Sequence, residues 1–259
     1  MEKPKLESES KGNWAERLYN AVTAPRTVRM SGYLVLALYI GLLIIGVIVA
    51  AALDPDGYNV FDNWISDLGC SEDTPAPILY DLACIFAGTL TIPFNLYVEK
   101  HLAPIPKSPE DFVKNALPPH RWSYRLTGAG FFFAMIGSFM YIGVGIWSGD
   151  RSTLNGVPMH EICSAGAFGG FAFAAIFMGL ALMISDRKIV PSPFCYILGT
   201  YAVYIPFTVA ILNLTGIPSR PWVTGPLLEW SLLWAIMGWI IPLAFFVLRH
   251  THRLERGEV

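Results

Sequence analysis

Charge is scarce in this chain. Only 15% of its 259 residues are charged, whereas 54% are hydrophobic and the mean hydropathy is +0.47. This apolar content is too high for an ordinary water-soluble domain, so the sequence indicates that a membrane is the main solvent. The net charge of -2 leaves no basic surface for neutralising phosphates, which argues against a nucleic-acid partner.

Cysteines and familiar catalytic motifs are also few. The four cysteines lie far apart and form no CxxC pair, which gives no support to a zinc knuckle or a dithiol redox motif. A disulfide from Cys70 to Cys84 or Cys163 is left open. GxSxG and Walker motifs are absent, and residues 160–164 (HEICS) miss the zincin HExxH pattern because serine stands where the second metal-binding histidine is required.

Six long apolar runs dominate what is present. The first, residues 32–53, contains no charge and would span about 33 Å as a helix, enough to cross the hydrocarbon layer. We therefore predict an all-α polytopic membrane protein, a bundle of six transmembrane helices. The predicted spans are 32–53, 78–98, 126–147, 162–184, 189–213 and 226–248. Gly166 and Gly170 form a GxxxG face, which favours close helix packing.

Basic residues are distributed unevenly among the connections. Of the 18 Lys and Arg residues, only Arg151 and Arg220 fall in the segments that follow the odd-numbered spans. The positive-inside rule therefore predicts that both termini lie in the cytoplasm and that the chain is integral to the cell membrane. We divide the chain into a cytoplasmic leader (1–31), a membrane domain (32–248) and a cytoplasmic tail (249–259). In the leader, the spacing of Trp14, Leu18 and Val22 fits either a short amphipathic surface helix or a solvated segment.

The first outer loop, residues 54–77, is acidic and contains no basic residue. It also contains aromatic and aliphatic residues such as Tyr58, Trp64 and Leu68, which indicate that part of it packs on the bundle or rests at the interface. We predict that this loop is ordered.

Several other polar residues are predicted at the same depth because they begin or end spans. Charges inside a bilayer are costly, so such groups normally face a partner or a water-filled cavity. We predict an outward-facing polar pocket. Its candidate catalytic residues are His160, Asp67 and Asp81, and its candidate ligand-binding residues are Asp62, Ser66, Glu161, Asn213 and Glu229.

Two chemistries fit such a pocket. Carboxylates with one imidazole could hold a divalent cation that binds a lipid phosphate or activates water. Alternatively, aspartate and histidine could act as an acid/base pair beside Ser66, Ser164 or Cys163 in acyl transfer. A purely structural interpretation also stands, in which Asp81, His160, Glu161 and Glu229 cap helices and pair with Arg151 or Arg220.

The run Trp64-Ile65-Ser66-Asp67-Leu68-Gly69 follows the first span and precedes a proline at 75 or 77. It resembles the first outer loop of the six-helix membrane superfamily that includes the damage-regulated autophagy modulators, the Frag and Sfk proteins, and prokaryotic relatives of unknown function. The resemblance implies roles that range from remodelling of lipid anchors and organisation of membrane lipids to autophagy and channel assembly. Only Ser66, Asp67 and Gly69 carry over, as residues that shape the loop. Gly69 is expected to permit positive φ, and Asp67 to bond the loop backbone.

The leading functional expectation is an outer pocket that binds a lipid headgroup and takes part in lipid remodelling, with membrane lipids as partners. A channel or small-solute transporter with an acidic mouth is one alternative. A non-catalytic membrane scaffold is the other.

Overall fold

The computed structural model describes residues 13–54, 57–104, 106, 108–185, 189–215 and 223–258, apart from the side chain of Asn213. Within these residues, six helices are long and apolar enough to cross a membrane. They are Pro25–Leu53, Ile78–Leu102 (α4), His120–Ile146 (α6), Met159–Ile184 (α7), Phe194–Thr215 (α8) and Gly225–Glu255 (α9). The chain is thus an all-α polytopic membrane protein, as the hydrophobic runs predict.

The first span is built from three consecutive pieces. Helix α2 (Pro25–Val35) leads into a π-helical turn (Leu36–Ile40) and then into α3 (Gly41–Leu53). Tyr39 lies in the π-helical turn and is buried, and its hydroxyl is 2.7 Å from the hydroxyl of Tyr141. No pattern in the sequence predicted this turn, which places the Tyr39 hydroxyl inside the bundle.

Shorter elements fill the connections. Helix α1 (Trp14–Val22) precedes the first span and α5 (Pro109–Ala116) lies between α4 and α6. A small antiparallel hairpin, β1 (Thr153–Leu154) with β2 (Val157–Pro158), joins α6 to α7. Helix α1 has no buried residue, and Trp14 and Leu18 are exposed. The segment is therefore helical, and its contact with a membrane surface stays a prediction.

Helix boundaries differ from the predicted spans at several ends. The first helix begins at Pro25 rather than at residue 32, and the last continues to Glu255 rather than 248. Both extensions contain charged residues, so a prediction from hydropathy alone makes these two helices too short. Helix α8 begins at Phe194, later than the predicted residue 189, because Pro191 and Pro193 occupy the connection and cannot donate helical hydrogen bonds.

Small residues bring α6 and α7 into close contact. A Cβ added to Gly170 would lie 2.6 Å from the backbone nitrogen of Gly137, and one added to Gly166 would lie 2.7 Å from Met140. These distances leave no room for a side chain. The prediction that the GxxxG face serves helix packing is confirmed.

The bundle has two ends, which we call inner and outer after the orientation predicted from the loop charges. The inner end contains α1, α5, the start of α2 and the end of α9, and it therefore holds both terminal helices. Arg29 and Glu255 form an ion pair there, and the Tyr19 hydroxyl donates to Glu99 over 3.0 Å. The outer end contains residues 57–77, 147–158 and the start of α9.

Candidate functional site at the outer end

Residues 64–69, here called the WISDLG turn, form the centre of the outer end. Ile65–Gly69 is a short 3-10 helix, and Ile65 and Leu68 are almost completely buried. The Asp67 carboxylate accepts a hydrogen bond of 2.7 Å from the backbone N–H of Trp64. This bond satisfies a donor that the helix start would otherwise leave free, so the predicted capping role of Asp67 is confirmed.

The start of α9 holds the other side of this loop. The Glu229 carboxylate accepts from the backbone N–H of Ile65 over 3.2 Å, and the indole N–H of Trp230 donates to the carbonyl of Asn63 over 3.1 Å. Thr224 caps α9 through the N–H of Leu227. The last span therefore fixes the loop that follows the first span. Within residues 57–77, the described part of the loop beyond residue 54, these long-range bonds agree with the prediction of an ordered loop.

Gly69 packs where a side chain would not fit. An added Cβ would lie 2.8 Å from the Cβ of Ser148 and 3.0 Å from the ring of Tyr80. Gly69 is not among the residues with positive φ in the described part of the chain, whereas Gly149, which packs on the Gly69 carbonyl, has φ +29°. The expectation of positive φ at Gly69 is therefore wrong. Glycine is needed there because two segments approach each other closely.

A buried carboxylate lies beneath this contact. Asp81, in the first turn of α4, accepts from the Ser148 hydroxyl and forms an ion pair with Arg151. The Asp81 side chain is only 5% exposed, whereas that of Arg151 is 56% exposed. The ion pair therefore connects the interior to the surface, because Asp81 is withdrawn from solvent and Arg151 is not.

His160 is fixed by its two ring nitrogens. Nδ1 is 2.8 Å from the carbonyl oxygen of Trp147, and Nε2 is 3.3 Å from the Ser164 hydroxyl. A carbonyl oxygen only accepts, so Nδ1 donates to Trp147, and Nε2 can accept from Ser164 only when it carries no proton. The geometry places a serine hydroxyl beside an imidazole that is oriented by a third group.

Negative charge dominates the loop surface. Burial raises the pKa of Asp67 and so does Asp73, whereas the bond from Trp64 and the nearby His160 lower it. Burial also raises the pKa of the Cys70 thiol to about 11, with further increases from Asp73, Asp67, Asp150 and Glu72. The four carboxylates create a negative field at the thiol, and such a field favours cations.

The structure brings some predicted residues together and separates others. Asp67 lies near His160 and near Glu229, since it interacts electrostatically with each of them, and Glu229 also contacts the WISDLG turn through Ile65. Asp81 lies with Ser148 and Arg151 on the other side of Gly69, and Ser66 is half-buried within the turn.

The remaining predicted residues lie apart from this network or cannot be placed. Asp62 is exposed and accepts from the side chain of Asn59 over 2.9 Å. Glu161 is exposed on α7. The side chain of Asn213 and the whole of Arg220 lie outside the described residues.

Sequence reasoning missed Ser148, Trp147, Thr224 and Trp230 as members of the network. The Asn155-Gly156 pair, at which both residues have positive φ, was an available signal for the hairpin that brings His160 back toward Trp147. The other contacts join residues that are distant in the sequence, and no local pattern marks them.

The cysteines and potential metal ligands complete this inventory. All four cysteines are free thiols, so the disulfide that was left open does not form. Among the described residues, no three His, Cys, Asp or Glu side chains are grouped to share a metal ion. The divalent cation therefore stays a prediction, and the described residues offer it no site with three such ligands.

The cavities lie away from the network. A central cavity of about 30 Å³ is lined by Thr91, Asn95 and apolar residues of α4, α6, α7 and α9. A groove of about 600 Å³ lies at the inner end between the first and last spans. Neither is lined by any of the predicted site residues.

Comparison with known proteins provides no assignment. No protein-family model, no curated protein and no solved structure matches this chain. The similarity of the WISDLG turn to the autophagy-modulator, Frag and Sfk superfamily therefore stays a prediction from residues 64–69, and the chain is assigned here only as an integral membrane protein with six spanning helices.

Proposed function

We propose that this integral membrane protein binds the headgroup of a zwitterionic phospholipid at its outer end, with Arg151 as the phosphate contact. The observation that carries the proposal is how Arg151 is bonded and exposed. One face of its guanidinium is held by buried groups, while more than half of the side chain remains exposed.

The bonds to Arg151 leave one nitrogen for a ligand. Nε donates to the carbonyl of Ile146 over 3.2 Å, and Nη2 donates to Ser148 over 3.1 Å and to Asp81. Nη1 has no hydrogen bond within the described part of the chain. A guanidinium fixed in this way loses little freedom when it binds phosphate, which reduces the entropic cost of binding.

The surrounding acidic residues select the type of headgroup. Asp150 is adjacent to Arg151 and exposed, and Asp73 and Glu72 act on the same surface around Cys70. An anionic lipid would be repelled by these carboxylates. A zwitterionic lipid offers its phosphate to Arg151 and its ammonium group to the acids, so phosphatidylethanolamine is the preferred probe.

The small central cavity favours lipid binding over conduction. Its volume of about 30 Å³ accommodates about two water molecules. A solute path along the bundle would have to widen this region considerably.

The proposal is tested with purified protein, dioleoyl phosphatidylethanolamine and native mass spectrometry. Arg151→Gln should reduce the bound fraction roughly tenfold, because a charge-assisted hydrogen bond contributes about 1.5–3 kcal/mol. Arg151→Lys keeps the charge but lacks the planar guanidinium, so its bound fraction should lie between those of the wild type and Arg151→Gln.

The matched control is Arg121→Gln, an exposed arginine at the inner end on α6 that belongs to neither proposed site, which should leave this binding unchanged. The double variant Asp81→Asn/Arg151→Gln removes both charges and should bind as weakly as Arg151→Gln. Equal retention of phosphatidylethanolamine by the wild type, by Arg151→Gln and by the double variant would refute the proposal.

A second candidate function, acyl transfer, is favoured by one observation, the 3.3 Å contact between Ser164 and His160. In such a reaction the Ser164 oxygen attacks the carbonyl carbon of an acyl ester while its proton passes to Nε2 of His160. That proton then goes to the leaving alcohol as the ester C–O bond breaks, and water, an external acceptor, hydrolyses the acyl-serine to a free carboxylate. A fluorophosphonate probe should label the wild type and fail to label Ser164→Ala, and His160→Gln should slow the labelling. Absence of label on the folded wild type counts against this chemistry.

A further inference from the structure

A groove with basic walls lies at the inner end, far from the outer network. It has a volume of about 600 Å³ and is formed where the first span meets the last. Gly32 allows this approach, since a Cβ there would lie 3.1 Å from the Leu248 side chain. Its lining residues are Tyr33, Phe245, Leu248, Arg249, His252, Glu255 and Arg256.

Positive charge exceeds negative charge around the groove. Glu255 is paired with Arg29 and also interacts with Arg26 and His252. Glu258 is paired with Arg256 and more distantly with Arg253. The two glutamates are therefore shared among several arginines, which leaves a net positive field.

Arg249 differs from its neighbours in having no internal partner. It is exposed on α9, and no hydrogen bond or ion pair joins it to another residue in the described ranges. An arginine in the last two turns of α9 that lines a groove and is not paired with a described carboxylate is available to an external anion.

The opposite part of the groove is apolar. Phe245 is 61% exposed and lies one helical turn before Arg249, on the membrane side, and Tyr33 of the first span is 54% exposed. An occupant must therefore present an anionic group to Arg249 and a hydrocarbon chain to Phe245 and Tyr33. Free phosphate satisfies only the first requirement, whereas an anionic phospholipid satisfies both.

We propose that the groove between the first and last spans binds an anionic phospholipid from the leaflet at the inner end, with Arg249 on the phosphate and Phe245 and Tyr33 along an acyl chain. Basic pockets between membrane helices are typical sites for such headgroups. This site is separate from the proposed outer site and has the opposite charge preference.

The experiment measures lipid binding to the detergent-purified full chain by native mass spectrometry. The probes are dioleoyl phosphatidylglycerol and dioleoyl phosphatidylcholine, supplied together. The wild type should retain phosphatidylglycerol preferentially, and Arg249→Gln should reduce that preference about fivefold, the effect expected of one arginine near the membrane surface. Phe245→Ala should weaken retention of both lipids, because it removes chain contact without removing charge.

The matched control is Arg121→Gln, another exposed arginine at the inner end but on α6, away from the groove. It should leave the preference unchanged. Arg249 is exposed and is not paired with any described residue, so the thermal midpoint of Arg249→Gln should equal that of the wild type. Any loss of lipid is then a loss of the site.

Three results would overturn the proposal. The first is an unchanged phosphatidylglycerol preference in Arg249→Gln. The second is an equal loss in Arg121→Gln, which would indicate a diffuse electrostatic effect. The third is displacement of the lipid by inorganic phosphate at equal concentration, which would indicate that the groove recognises phosphate alone. Arg151→Gln should leave this binding intact, so failure of the outer proposal is distinguishable from failure of this one.

Discussion

Removal of Arg151 should destabilise the protein more than removal of its partner. Arg151→Gln leaves the Asp81 carboxylate buried without its cation, whereas Asp81→Asn leaves an arginine that is 56% exposed and can turn to solvent. Losing one member of a fully buried pair costs about 3–5 kcal/mol. The exposure of Arg151 screens this pair, and Ser148 still donates to Asp81, so about 2 kcal/mol is expected for Arg151→Gln.

The two other variants complete the cycle. Asp81→Asn exchanges charge-assisted bonds for neutral ones and should cost about 1 kcal/mol. The double variant Asp81→Asn/Arg151→Gln should be more stable than Arg151→Gln alone, because no isolated charge remains. That ordering, in which a second substitution restores stability, is the specific expectation.

The assay is equilibrium unfolding in mixed detergent, supported by thermal scans of the same samples. A difference of 2 kcal/mol corresponds to roughly 4–8 °C in the thermal midpoint for a chain of this size, taking soluble proteins as the guide. If Arg151→Gln proves as stable as Asp81→Asn, or the double variant proves the least stable, then the ion pair does not carry the energy that we assign to it.

Three further outcomes test the outer end. Gly149→Ala should destabilise the fold by about 1–3 kcal/mol in the same assay, because its Cβ would overlap the carbonyl oxygen of Gly69; an unaffected protein would show that the loops do not meet there. Glu229→Leu should cost about 1–2 kcal/mol by leaving a backbone N–H of the WISDLG turn unpaired, whereas Glu229→Gln keeps an acceptor and should cost less. Maleimide should label Cys70 slowly at neutral pH and faster as the pH approaches 11, since a rise of the thiol pKa from 9.0 to about 11 reduces the thiolate fraction roughly 100-fold. Asp73→Asn should accelerate the labelling, and an unchanged rate would contradict the acidic field.

The spans could be predicted because the bilayer requires long apolar helices. Each predicted run overlaps an observed helix, and the errors lie at the ends, where Pro191 and Pro193 delay α8 and charged turns extend α9. The π-helical turn around Tyr39 could not be predicted, because its residues are as apolar as those on either side. Its position depends on the contact with Tyr141, which lies 102 residues further along the chain.

The site was only partly predictable for a similar reason. Asp67 caps its own turn, so the short spacing within residues 64–69 sufficed to predict its role. The pairing of Asp81 was open in the sequence because Arg151 and Arg220 were equally plausible partners, and only the fold brings Arg151 to it. The need for glycine at position 69 was attributed wrongly to positive φ. Its true cause, a close approach between two loops, cannot be recognised from the sequence of either loop.

The contact between the first and last spans has a consequence for biogenesis. Helices α2 and α9 pack against each other, and Arg29 joins Glu255 across this contact, so a ribosome must finish almost the whole chain before the contact can form. Until then the first span has to remain in lipid with that surface uncovered. The first span is stable in lipid without its partner, because its hydropathy of 2.9 is the highest of the six described spans. Only 17% of its most apolar window is buried even in the finished bundle.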